Sequence, residues 1–190
     1  MELFYKKMKD VVEPRPLLKK SFDLSSEWTD GGLAYDLGCG VGQDTFFLID
    51  QGFLVKAVDI SPDAFKYMED KFGKSDHVET IVSSIENLVM EPCNLVTSSF
   101  ALPFIKRESF EDSIAKVMGS IKKGGLFVGN FFGPHDDWAD TLSVKTSEEI
   151  KVYFNDFELL FFREYEEKRP SAVGEVKNWH IIEVIARKRS

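Results

Sequence analysis

Three glycines fall within five positions of the stretch YDLGCGVGQDT, at Gly38, Gly40 and Gly42, between a short apolar run and a longer segment that is apolar almost all round. A glycine costs roughly 0.5–1 kcal/mol relative to alanine inside a regular element, so three in alternation mark a turn whose task needs bare backbone. The flanks define the kind of turn. Leu33 to Leu37 reads as a buried strand, and Gln43 to Gln51 as a helix with Gly52 just past its end. Strand, glycine turn and helix in that order make the first half of a βαβ unit.

The alternation continues. Phe53 to Ile60 reads as a second strand. Ser61-Pro62-Asp63 then supplies an N-cap serine, a proline for the first turn and an acid at the positive dipole end. The helix it opens carries Ala64, Phe65, Met68 and Phe72 on one side and stops at Gly73. Val78 to Val82, Leu95 to Ser98 and Leu126 to Phe131 make three more strands, and an amphipathic helix through Phe110, Ile114, Val117, Met118 and Ile121 precedes the last. This order implies parallel strands joined by right-handed crossovers, with helices on both faces of the sheet. After Gly133 the pattern changes. Thr146-Ser147-Glu148-Glu149 is a capping box, and Phe157 to Tyr165 and Trp179 to Arg187 read as an antiparallel hairpin that ends the sheet. At the other terminus Phe4, Met8, Val11 and Val12 share a helical face up to Pro14 and Pro16, and Leu17 to Phe22 forms a second short helix.

Composition narrows the function classes. With 190 residues, 43% hydrophobic and 29% charged, the chain reads as one globular domain over 1–190 with a bulky aromatic interior drawn from 17 phenylalanines. No apolar run approaches the roughly 20 residues that cross a bilayer, and MELFYKKMKD lacks the apolar stretch of a signal peptide, so no membrane partner and a cytoplasmic location are expected. Cys39 and Cys93 have neither the number nor the spacing of a disulfide framework or a metal knuckle, and no metal is expected. The formal net charge of −8 disfavours a nucleic-acid partner, and the short basic tail ARKRS reads as a solvated strand end.

Two ligand classes compete for the turn. A dinucleotide fold uses G-x-G-x-x-G, but here the third glycine arrives one place early, at Gly42, and Gln43 stands where the third glycine belongs. With Asp36 two places before Gly38 and Asp59 closing the second strand, the spacing resembles motif I and its acidic partner in the class I S-adenosylmethionine-dependent methyltransferases. The resemblance runs from about Glu13 to the C-terminus. Arg15-Pro16-Leu17-Leu18 and the closing IARK look similar to tellurite-resistance-type and related small-molecule methyltransferases. It implies an α/β, Rossmann-like seven-stranded, mostly parallel sheet with an antiparallel C-terminal hairpin, residues 1–30 forming a helical segment over the cofactor cleft, and S-adenosyl-L-methionine as cofactor. The reaction implied is methyl transfer to a small-molecule nucleophile, a sulfur, selenium, tellurium, nitrogen or oxygen atom; a non-catalytic binding protein on the same fold is the alternative.

The resemblance also implies cofactor contacts at Asp36, Gly38, Gly40 and Gly42. Asp59 would accept from both ribose hydroxyls and Ile60 would pack on adenine. Ser84 and Ile85, within Ser83 to Glu86, occupy the family's adenine-contacting segment, although the family often has an acid where Ser84 stands. The backbone at Thr97 or Ser98 would lie near the methionine end. Asp44 and Thr45 suit either helix capping or cofactor contact, and Arg15 either a cofactor or substrate carboxylate or a surface ion pair. Ser99, Phe100 and Phe104 sit where a pocket mouth belongs, though both aromatics suit a core equally. His135, Asp136 and Asp137 suit a base, a metal pair or a solvated loop. Tyr5 suits a lid or plain helix packing, while Trp138, Trp179, His77 and His180 read as packing or surface residues.

Overall fold

The computed structural model describes residues 2–8, 10–25, 31–172 and 174–189. Its strands are β1 (Gly32–Leu37), β2 (Phe53–Asp59), β3 (Val78–Val82), β4 (Cys93–Ser98), β5 (Ile121–Phe132), β6 (Phe157–Pro170) and β7 (Val176–Lys188). Its helices are α1 (Glu2–Met8), α2 (Pro16–Leu24), α3 (Gln43–Asp50), α4 (Pro62–Phe72), α5 (Phe110–Ser120) and α6 (Ser147–Tyr153). The strands form one seven-stranded sheet in the order β3-β2-β1-β4-β5-β7-β6. Pairing is parallel from β3 through β5, and β7 then runs antiparallel to both β5 and β6. This is the Rossmann-like, mostly parallel architecture with an antiparallel C-terminal hairpin.

Strand side chains alternate across the pleat, so apolar runs buried on both sides feed two cores. Tyr35, Leu37, Val96, Phe127 and Ile182 pack with α5 and α6 on one face. Ala34, Val55, Leu95, Leu126 and Ile185 pack with Leu17 and Leu18 of α2 and Leu48 of α3 on the other. The local signals work as expected at α4, where the Ser61 hydroxyl accepts from the Asp63 amide, and at α6, where Thr146 and Glu149 complete the capping box.

Other boundaries move. Helix α1 ends at Met8, so Val11 and Val12 lie outside it and Val12 is exposed; the Phe4 side chain lies outside the described residues. Strand β5 begins at Ile121, five residues before the apolar run that announces it, because an irregularity between Cys93 and Leu95 lets β4 pair with Ile121 across the IKKGG segment. The closing hairpin is longer than its apolar stretches, since charged residues of β6 continue the ladder as far as Pro170 paired with Val176. Cross-strand hydrogen bonds need no apolar side chains on an exposed face.

The glycine turn also departs from the simplest reading. Gly38, Gly40 and Gly42 all take positive φ, yet a Cβ on Gly38 would lie 2.4 Å from that of Ala101, and one on Gly42 would lie 2.4 Å from Met68 Cγ. At these two positions the missing side chain makes room for the protein's own neighbours. Gly52 has a similar φ, +86°, with nothing within 4 Å of the added carbon. Gly52→Ala is therefore expected to cost about 1 kcal/mol for backbone strain alone, and Gly42→Ala about 2–3 kcal/mol with the crowding of Met68 added. Urea unfolding measures both, and equal losses would contradict the packing role of Gly42.

Candidate active site

Strand order reverses between β1 and β4, so the connections leaving their carboxyl ends run in opposite directions and leave a crevice between them. A cavity of about 630 Å³ opens there. Asp36, Gly38, Gly40, Asp44, Asp59, Ile60, Ser84, Ile85 and Arg15 line it, as do Tyr5, Ser99, Phe100 and Phe104. The other three predicted cofactor residues stand behind the wall. Gly42 packs on Met68, Thr45 donates its hydroxyl to Asp36 Oδ2 at 2.6 Å, and Ser98 donates to the Leu37 carbonyl at 3.3 Å.

The turn's amides face inward. Gly38 and Cys39 donate to the Val58 carbonyl, Gly40 donates to Asp59 Oδ2 at 3.0 Å, and Gly42 donates to the Cys39 carbonyl. A pyrophosphate-binding turn would aim such amides at its ligand. Here they brace the turn against β2 instead.

What this half of the cavity offers a ligand is acceptors. Asp36 is buried at the end of β1, where burial foremost and the neighbouring Asp44 charge push its carboxyl up to about 8, with the Thr45 hydroxyl opposing. Asp44 opens α3, near the positive end of the helix dipole; its Oδ1 accepts from the Arg15 amide at 2.7 Å and its Oδ2 from the Ser99 hydroxyl at 3.0 Å. Burial nevertheless raises the Asp44 pKa too. Gln43 also lines the cavity, but its side-chain oxygen is shielded from it and has no hydrogen-bond partner among the described residues.

Asp59 is partly committed. Its Oδ1 accepts from the Tyr5 hydroxyl at 2.9 Å and the Ser61 amide at 3.0 Å, which leaves Oδ2, bonded to Gly40, as the oxygen with room for another donor. The expected pair of ribose hydroxyls on Asp59 thus has one partner ready and one contested by Tyr5. Ile60 beside it is exposed, an apolar surface facing the cavity.

The opposite half is aromatic and cationic. Phe132, Trp138, Trp179 and Arg169 line it, none of them singled out by sequence as site residues. Phe100 has φ +61°, the left-handed region, and its amide is fixed by Asn130 Oδ1 at 2.7 Å. Arg15 and Arg169 both reach its ring, with guanidinium carbons 5.5 and 5.8 Å from the centroid. No sequence motif marks Arg169 or the tryptophans: the β6/β7 register carries Arg169 and Trp179 to the cleft, and Trp138 arrives on the loop after β5.

Of His135, Asp136 and Asp137, only Asp136 is buried; His135 and Asp137 are exposed, and a ring nitrogen of His135 lies within 4.8 Å of ligand atoms of Glu166 and His180. Asp136 is buried and ion-paired with the buried Lys177, and it also accepts from the Trp138 and His180 amides. The Lys177 ammonium lies 3.8 and 3.9 Å from the ring centroids of Trp138 and Trp179, so the pair is the strut behind the aromatic wall. Asp137 accepts from the Asn178 amide, and exposed His135 pairs with Glu166. His180 is buried and bonded to Glu164. Asp136→Ala strands the Lys177 charge and is expected to cost about 3–5 kcal/mol, whereas adding Lys177→Met recovers much of it. Chemical denaturation checks the pair, and a double variant as unstable as the sum of the singles would contradict the strut.

With the geometry in place, the comparisons are specific. Residues 34–125 match the family model described as a methyltransferase domain. A carboxy-S-adenosyl-L-methionine synthase from Psychrobacter arcticus is 29% identical over 102 residues, 50% of this chain and 38% of that protein, so the chain spans about two fifths of that relative's length. Among solved structures, TehB from Haemophilus influenzae superposes with a TM-score of 0.73 at 19% identity, over 90% of this chain and 62% of that one. A Burkholderia thailandensis 1,6-didemethyltoxoflavin-N1-methyltransferase, solved with 1,6-didemethyltoxoflavin and S-adenosylhomocysteine, superposes at 0.64 with 19% identity over 98% and 84% of the two chains. Those structural likenesses establish the shared fold. Together with the motif spacing at Asp36, the glycine turn and Asp59, the family match makes residues 34–125 a methyltransferase domain of the S-adenosylmethionine-dependent type.

Proposed function

We propose that this chain binds S-adenosyl-L-methionine in the acceptor-rich half of the cleft and transfers its methyl group to a small molecule held in the aromatic half. One observation carries the reading: three acidic side chains, Asp36, Asp44 and Asp59, line one cavity while the Gly38, Cys39, Gly40 and Gly42 amides are spent on the protein's own acceptors. Such a set fits a ligand with an ammonium, a sulfonium and ribose hydroxyls and repels a pyrophosphate. The volume suits it as well, since small-molecule sites typically enclose roughly 300–1,000 Å³.

In this reading Asp36 and Asp44 hold the ammonium, Asp59 Oδ2 takes a ribose hydroxyl, and Ile60, Ser84 and Ile85 border the adenine. Arg15 lies within electrostatic reach of Asp44 with no side-chain hydrogen bond among the described residues, so its fork is available to the cofactor carboxylate. The sulfonium, when bound, supplies an electrophilic methyl group. What the protein adds is alignment, because Phe100, Trp138 and Trp179 wall the acceptor's side of the cleft and exclude water from it. No histidine lines the cavity among the described residues, so a base for an amine or hydroxyl acceptor would come from its carboxyl groups, Glu86 among them.

Tyr5, Met8 and Arg15 reach the cavity from the first 30 residues, which supports the reading of that segment as its cover. Buried, unpaired Cys39 and Cys93 suit a reducing compartment such as the cytoplasm. The test is binding of S-adenosylhomocysteine, followed as a rise in melting temperature, with Asp59→Ala expected to weaken it by about tenfold or more. Equal affinity in Asp59→Ala, or no binding by the parent chain, overturns the reading. Binding without methyl transfer to any member of a metabolite panel favours a non-catalytic role.

A further inference from the structure

We infer that the methyl acceptor is a carboxylate with an apolar body, and that Arg169 holds its carboxylate at the edge of the aromatic wall. This rests on the methyltransferase reading above and names the substrate class of that same site.

The wall comes first. Phe100, Phe132, Trp138 and Trp179 form a continuous aromatic surface, with ring centroids 5.4–6.1 Å apart between Trp138 and Trp179, Phe132 and Trp179, and Phe100 and Phe132. The rings meet at 56–81° to one another, edge to face, so they make an apolar aromatic corner that takes a ligand's hydrocarbon body. The wall is also braced from behind by the buried Asp136–Lys177 pair, so it is a preformed surface.

Arg169 stands over this wall, its guanidinium carbon 4.5 Å from the Trp179 ring centroid. Glu167 holds its Nε at 2.6 Å, and neither terminal nitrogen has a hydrogen bond among the described residues. The pair therefore orients the guanidinium and leaves its outer edge, the two-pronged side that matches a carboxylate, available. The residue sits on a strand paired with Lys177, and its carbonyl accepts from Trp179 Nε1 at 3.1 Å. Beside it Ser171 lines the same cavity, with its hydroxyl shielded from the opening and without a hydrogen-bond partner among the described residues.

Charge points the same way. Arg15 and Arg169 flank one phenylalanine ring, and Arg169 adds to the burial that already works against the Arg15 charge. With the Arg15 fork given to the cofactor carboxylate, an acceptor anion at Arg169 offsets the second charge. A single free fork with no converging amides suits a monoanionic carboxylate better than a phosphate.

The experiment titrates anthranilate, salicylate and thiosalicylate, their methyl esters, and phenyl phosphate into the protein saturated with S-adenosylhomocysteine, by calorimetry. The acids are expected to bind about tenfold or more tighter than the esters and the phosphate. Arg169→Gln is expected to bring the acids down to the esters' level and leave S-adenosylhomocysteine affinity within about twofold, with Arg169→Lys recovering part of the preference. The backbone bond to Trp179 survives both substitutions, so loss of fold does not confuse the result. Acids binding no better than esters, tighter binding of the phosphate, absence of any binding, or an acid preference that persists in Arg169→Gln each overturns the inference. Failure of S-adenosylhomocysteine itself to bind is a separate result that overturns the cofactor reading instead.

Discussion

Two carboxylates buried side by side, Asp36 at the end of β1 and Asp44 in the first turn of α3, are the constraint on which this site depends. Burying charge is costly unless donors or a proton offset it, and the surroundings supply both. Thr45 bonds Asp36, the Arg15 amide and the Ser99 hydroxyl bond Asp44, and Asp36 stays largely protonated near neutral pH. These few contacts tie β1, α3, the segment before α2 and the end of β4 to one point. The crevice at the reversal of strand order is thereby given a defined floor.

From that floor the cleft divides by charge. Acceptors, with Arg15 beside Asp44, line the part beneath the glycine turn, and Arg169 with aromatic rings lines the part beneath the hairpin. A cationic cofactor and an anionic acceptor would each find complementary surroundings, and each would lower the electrostatic cost of the other's binding. The glycine turn serves this division by spending its amides on β2, so that side-chain carboxylates set the local charge rather than a ring of donors.

Much of this was legible in the chain itself. Asp36, Asp59 and the early third glycine are local signals, as are the cap at Ser61 and the box at Thr146, because each depends on neighbours a few residues away. The aromatic and cationic half was not legible. Arg169 and Trp179 line the cleft only through strand registers such as Phe132 with Ile181 and Arg169 with Lys177, and Trp138 only through the folding of the loop after β5. Asp136 likewise looks like a solvated loop acid until Lys177 arrives from β7. The glycines were legible as a turn but not in their division of labour, since the Ala101 and Met68 contacts at Gly38 and Gly42 are tertiary.

The claim at the centre is that a ligand cation takes the place of the Asp36 proton. It is tested most directly by titrating S-adenosylhomocysteine calorimetrically at pH 7 in two buffers of different ionisation enthalpy. Because the Asp36 carboxyl sits near 8 before binding, the incoming ammonium should ionise it, so binding should release a proton and the apparent heat should differ between buffers. Asp36→Asn should abolish that difference. Binding with the same heat in both buffers, or an undiminished difference in Asp36→Asn, would contradict the account.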